Sequence, residues 1–139
     1  MDRTRGFTLF ELIAAVAIAA ILAAVATQSY VRYASRSRRT DAHHMLMTIA
    51  SSEERWYATY NRYTDDPGKL GYATPTLSPH GYYEATVTVT DDDGQAFIAT
   101  AIPIKQQAGD ACGTLSIDNA GHKTPAKSDA AANANGNCW

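Results

Sequence analysis

With 139 residues, 45% of them hydrophobic, the chain has room for one small domain and an anchor. Its formal net charge of −2 gives no global electrostatic reason to seek nucleic acid, so only a local basic patch would reverse that. Its two cysteines, Cys112 and Cys138, lie too far apart for the close paired spacing of a zinc site.

The chain starts with a short basic leader holding Asp2, Arg3 and Arg5 and ending at Gly6. Residues 7–26 follow with one charge, Glu11, and neither Gly nor Pro, so nothing local stops a helix. Twenty helical residues span about 30 Å, the hydrocarbon thickness of a bilayer. A carboxylate inside such a span costs about 2.5–3.5 kcal/mol on insertion scales and calls for a neutralising partner. The order of charge, small residue and apolar run is not that of an ordinary secretory signal. A cut after Gly6 would free an amine on Phe7, one helical turn before Glu11. That amine would pair with the carboxylate of a neighbouring copy when helices stack with a stagger.

The stretch Gly6-Phe7-Thr8-Leu9-Phe10-Glu11-Leu12 resembles the prepilin peptidase site of type IV pilin precursors, with Phe10 where Ile is commoner. The resemblance implies cleavage between Gly6 and Phe7, N-methylation of Phe7, and Glu11 as the acid that guides assembly. It implies an inner-membrane, single-pass precursor that later joins an extracellular pilus. The partners implied are the prepilin peptidase, the inner-membrane assembly machinery and other pilin subunits in a helical filament. In a head exported beyond the membrane, Cys112 and Cys138 are expected to form one bridge, with unpaired buried thiols as the alternative.

Beyond Ala26 the helix is expected to continue to about Tyr60, because no Pro precedes Pro67 and no Gly lies between Gly6 and Gly68. Many pilins carry Pro where this chain has Gln28; its absence puts local melting there in doubt and leaves open whether the helix melts on assembly. Residues 27–40 are polar and include Arg32, Arg36, Arg38 and Arg39, read as a solvated face or one pairing with acidic neighbours in a filament, with lipid phosphate contact as the alternative. From residue 41 on, Met45, Ile49, Trp56 and Tyr60, with Ala42, Leu46 and Ala50, recur at helical spacing and predict an amphipathic half lying on a sheet. The apolar first half is expected to project.

Residues 61–81 are dense in turn formers and predict an ordered loop, with Tyr63, Leu70, Tyr72 and Leu77 packing down. Tyr83, Ala85, Val87 and Val89 alternate with polar residues and predict a half-buried strand. Asp91-Asp92-Asp93-Gly94-Gln95 turns the chain into a second strand over 96–102. A third strand is expected over 113–118 and a short fourth over 122–124. The tail from Pro125 to Trp139 has little to bury, so a bridge from Cys138 would tie it down, with Trp139 packed beside it.

The expectation is therefore an α+β chain: a long N-terminal helix packed on a small antiparallel sheet of three to four strands, with a C-terminal disulfide loop. Its divisions are residues 1–6 as leader, 7–30 as transmembrane and filament-core helix, and 31–139 as head. The series Glu54-Arg55-Trp56-Tyr57, Asn61-Arg62-Tyr63-Thr64, Cys112-Gly113-Thr114-Leu115 and Cys138-Trp139 resembles the PilE/ComP branch of minor and DNA-uptake pilins.

No catalytic constellation, phosphate loop or nucleophile elbow stands out, and neither enzyme activity nor a cofactor or metal is expected. Adjacent His43 and His44 point about 100° apart on a helix and read as surface residues. Asp91, Asp92 and Asp93 read as a hairpin turn rather than a calcium loop. The function expected is a structural, minor-type pilus subunit serving motility, adhesion or DNA uptake. The alternatives are a type II secretion pseudopilin and a DNA-binding uptake pilin. DNA contact would fall to Lys105, Lys123 and Lys127, with Asp110, Asp118 and Asp129 diluting the positive charge.

Overall fold

The computed structural model describes residues 7–133 and 137–139. One helix, α1 (Leu9–Tyr60), carries the first half of the chain, and it runs through Gln28 without a break. A meander of five strands follows: β1 (Thr76–Leu77), β2 (Tyr83–Val89), β3 (Phe97–Pro103), β4 (Leu115–Asp118) and β5 (Lys123–Thr124). Every neighbouring pair is antiparallel and the spatial order is the chain order. Two 3₁₀ turns, Pro67–Leu70 and Lys105–Gln107, interrupt the connections.

The chain divides into two compact units, Met1–Ala34 and Ser35–Trp139. From Leu9 on, the first unit is helix whose large apolar side chains, among them Leu12, Ile13, Val16, Ile21 and Leu22, are exposed. It meets the length and composition for crossing a membrane, and none of that window is buried within the chain.

The second unit holds the core. Ala42, Met45, Leu46 and Ile49 recur at three- and four-residue spacing, so they share one face of α1. They join Ala85 and Val87 of β2, Phe97, Ala99 and Ala101 of β3, and Leu115 and Ile117 of β4 in one cluster. The strand residues alternate buried and open, as a sheet with one covered face requires.

The sheet has one strand beyond the three or four expected. The addition is β1, two residues lying in the segment read as a loop; Thr76 pairs with Ala85 and Leu77 with Glu84. Two residues between Pro75 and Pro79 are too few to show an alternation. Within that segment Tyr63 and Tyr72 do pack against the core, whereas Leu77 is exposed. Tyr60 is exposed as well, because the helix ends there and the sheet side of α1 is already filled by the residues from 42 to 49.

Candidate functional site

At the start of α1 the residues of the motif take up a defined geometry. Thr8 sits before the first helical residue, and its Oγ1 accepts from the Glu11 amide at 3.3 Å. Its carbonyl accepts from the Leu12 amide at 3.1 Å. Thr8 is thus the helix N-cap and Glu11 occupies the third helical position, the spacing of a capping box. The sequence reading missed this role for Thr8, although Thr-x-x-Glu before an apolar run is its signature. Among the described residues, no side chain hydrogen-bonds or ion-pairs with the Glu11 carboxylate. Phe7, Leu9 and Phe10 around it are largely exposed. Gly6, the residue on the other side of the expected cut, lies outside the described residues.

The head is fastened by its tail. Cys112 and Cys138 form the expected disulfide, 26 residues apart. The His43 Nε2–H donates to the Cys138 carbonyl at 2.6 Å, and the His43 ring stacks on Trp139 with centroids 4.7 Å apart. The Trp139 indole donates to the Thr124 carbonyl, and Lys123 lies 4.8 Å above the same ring. Trp139 therefore does pack near the bridge. His43 is half-buried rather than a surface residue, because the tail folds over it, and burial pulls its imidazole below the ordinary range.

Arg39 also departs from the solvated face read from the sequence. Its guanidinium grips Asp110 in a fork, Nε to Oδ2 at 2.7 Å and Nη2 to Oδ1 at 2.6 Å, with both side chains almost fully buried. Its Nη1 donates to the Asn137 carbonyl at 3.3 Å. Asp110 is thereby withdrawn from the surface, so it does not dilute exposed positive charge. The hydrogen bond to Asp110 holds the Arg39 pKa above its already high value. Nearby, Asp41 accepts from the His80 amide and ring, and these bonds with one from Ser78 outweigh burial and keep its carboxyl below the usual range.

The three lysines named for DNA contact are all exposed. Lys123 is held on the Trp139 ring in β5, and Lys127 lies two residues past Pro125. Lys105 opens the second 3₁₀ turn, its ammonium beside Gly81. No observed contact joins the three. Asp91 serves its hairpin, its Oδ1 accepting from the Gln95 and Ala96 amides. Among the described residues no group of three or more His, Cys, Asp or Glu is placed to share a cation.

A family described as "Type IV minor pilin ComP, DNA uptake sequence receptor" matches residues 28–116, and the prokaryotic N-terminal methylation motif matches residues 1–27. The chain belongs to this type IV pilin family. Among relatives, the type IV major pilin protein PilA of Myxococcus xanthus is 34% identical over 80 residues, covering 58% of this chain and 36% of that protein. A type IV major pilin protein PilE1 of Neisseria gonorrhoeae is 32% identical over 85 residues, covering 61% and 52% respectively. The chain thus spans about a third to a half of the length of these curated relatives. A solved type IV pilin from Shewanella oneidensis is 33% identical, with a TM-score of 0.55, over 76% of this pilin and 97% of that chain.

Proposed function

We propose that this pilin is a structural, minor-type subunit of a type IV pilus. Residues 1–6 serve as leader, the prepilin peptidase cuts between Gly6 and Phe7, and the Phe7 amine is methylated. Residues 7–30 anchor the subunit in the inner membrane and then pack into the filament core, with 31–139 as the head. Other copies, the peptidase and the inner-membrane assembly machinery are its partners, and the finished filament lies outside the cell. The observation that carries this reading is the exposed apolar N-terminal span of α1, whose one acidic side chain, Glu11, has no partner among the described residues. A carboxylate that is costly in hydrocarbon gives each subunit a reason to accept the amine of the next.

Two variants test it. Glu11→Ala is expected to insert normally and to lower surface filaments at least tenfold, scored by electron microscopy and shear yield; normal piliation would refute the pairing. Gly6→Lys is expected to leave the leader attached; mature protein at normal levels, read by mass spectrometry, would contradict the cut.

A second reading draws on the family description, which names a receptor for DNA uptake sequence. On that reading Lys105, Lys123 and Lys127 would contact backbone phosphates. It predicts retention of duplex DNA at low salt that falls steeply as salt rises. No retention at low salt would remove it.

A further inference from the structure

The reach of the second unit around Trp56 contains two adjoining hollows that neither the assembly reading nor the lysine reading uses. The first, of about 250 Å³, is lined by Trp56, Tyr63, Asp65, Lys69, Asp92 and Asp93 among others. The second, of about 270 Å³, is lined by Trp56, Tyr60, Arg55, Thr59 and Lys69. Trp56 and Lys69 belong to both, so the two form one groove with an indole at its middle. The indole is braced by Tyr60, whose ring centroid lies 4.0 Å away, and its buried Nε1 has no hydrogen-bond partner among the described residues.

The walls are fixed before any ligand arrives. The Tyr63 amide donates to the Gly94 carbonyl at 2.8 Å, which clips the β2–β3 turn to the segment after α1. Gln95 reinforces the clip, its Nε2 donating to the Asn61 carbonyl and its Oε1 accepting from the Tyr57 hydroxyl. Arg55 is held by Ser51 and Ser52 one turn back along α1.

We propose that this groove binds a neutral oligosaccharide, one ring in each hollow. Each hollow falls below the ~300–1,000 Å³ of pockets for drug-sized ligands, which suits single sugar rings rather than larger groups. A pyranose presents an apolar C–H face and a rim of hydroxyls that both donate and accept. The indole face answers the first. Carboxylates at Asp65, Asp92 and Asp93, with cations at Arg55, Arg62 and Lys69, answer the second. In the first hollow Asp65, Asp91, Asp92 and Asp93 outnumber Arg62 and Lys69, and the negative balance disfavours phosphate and uronate groups. This assignment rests on the head alone and is independent of how the subunit assembles.

The test uses the full chain in detergent micelles with Trp139→Phe, which leaves Trp56 as the sole indole of the two in the sequence. Neutral trimers of N-acetylglucosamine, glucose and mannose are titrated separately, beside a galacturonate trimer and a DNA duplex. At least one neutral trimer is expected to give a saturable change in Trp56 emission with millimolar affinity. By calorimetry Trp56→Ala should weaken that binding at least tenfold, and Tyr60→Ala at least threefold. Tyr60 is more than half exposed, so its variant keeps the test open if the Trp56 variant fails to fold. No saturable response to any neutral trimer, unchanged affinity in a folded variant of either kind, or preference for galacturonate or DNA would overturn the assignment.

Discussion

Glu53 is the residue of this pilin whose cost is clearest. It is fully buried on α1, with Oε2 accepting from the Thr64 amide at 3.1 Å and Oε1 without a partner among the described residues. Burial raises its carboxyl above the usual range, the Thr64 bond offsets part of that, and Glu54 and Asp65 push it further up. A raised folded pKa means the folded chain holds a proton that the unfolded chain releases above about pH 4.3. The stability tied to Glu53 is therefore full below that pH and is lost as pH climbs through the raised value. Each unit of the difference is worth about 1.4 kcal/mol. Glu53→Gln keeps an acceptor for Thr64 without the charge. The variant is expected to melt at the wild-type temperature near pH 4 and several degrees above it at pH 7, by thermal unfolding in detergent. The difference between the two proteins isolates Glu53 from His43, whose lowered pKa makes stability fall as pH drops below about 6.5. Such residues were illegible in the sequence. Arg39 and Asp110 are 71 positions apart, and His43 finds a main-chain carbonyl 95 positions on, so no local spacing announced either contact.

The elements themselves were largely legible. Freedom from Gly and Pro between Gly6 and Pro67 marked out α1, alternation marked β2, and the turn at 91–95 marked the start of β3 to within a residue. What the pattern lacked was β1, whose pairing comes from its neighbour β2 rather than from its own two residues. The β2–β3 turn illustrates how an element's junction is specified. Gly94 is buried at φ 70°, and a Cβ there would lie 3.0 Å from the Arg62 Cβ and 3.7 Å from the Tyr63 backbone. Arg62 Cβ sits at the root of its side chain and cannot swing aside, so the turn itself must shift. Gly94→Ala is expected to cost about 1–3 kcal/mol, by the usual price of a strained backbone site. It should lower the melting temperature and speed exchange of the Tyr63 amide, which donates to the Gly94 carbonyl.

At the scale of the whole molecule, the disulfide joins the β4 side of the head to a tail with little apolar surface of its own. Closing a loop of 26 residues contributes about 3–4 kcal/mol by the loss of unfolded-state entropy. Reduction, or Cys112→Ser with Cys138→Ser, is expected to lower the melting temperature and make the tail beyond Pro125 sensitive to protease. The Trp139 emission should shift red as its ring leaves His43. An unchanged digestion pattern would mean that Trp139 and Asn137 hold the tail without the bridge. Two cysteines in a chain with an apolar, exportable start were enough to foresee the link. The groove at Trp56 was not foreseen, since its walls come from α1, the loop after it and a hairpin tip.

The contact from Arg39 to Asn137 spans 98 positions of chain, so early and late parts of the polypeptide depend on each other. Arg39 and His43, both on α1, thus gain these partners only when the distant tail folds back over the helix. A product interrupted before residue 137 would leave a guanidinium without part of its cover and an imidazole without its carbonyl. Removing residues 137 and 138 is therefore expected to loosen the hold on Arg39 and His43 and with it the packing of the head on α1.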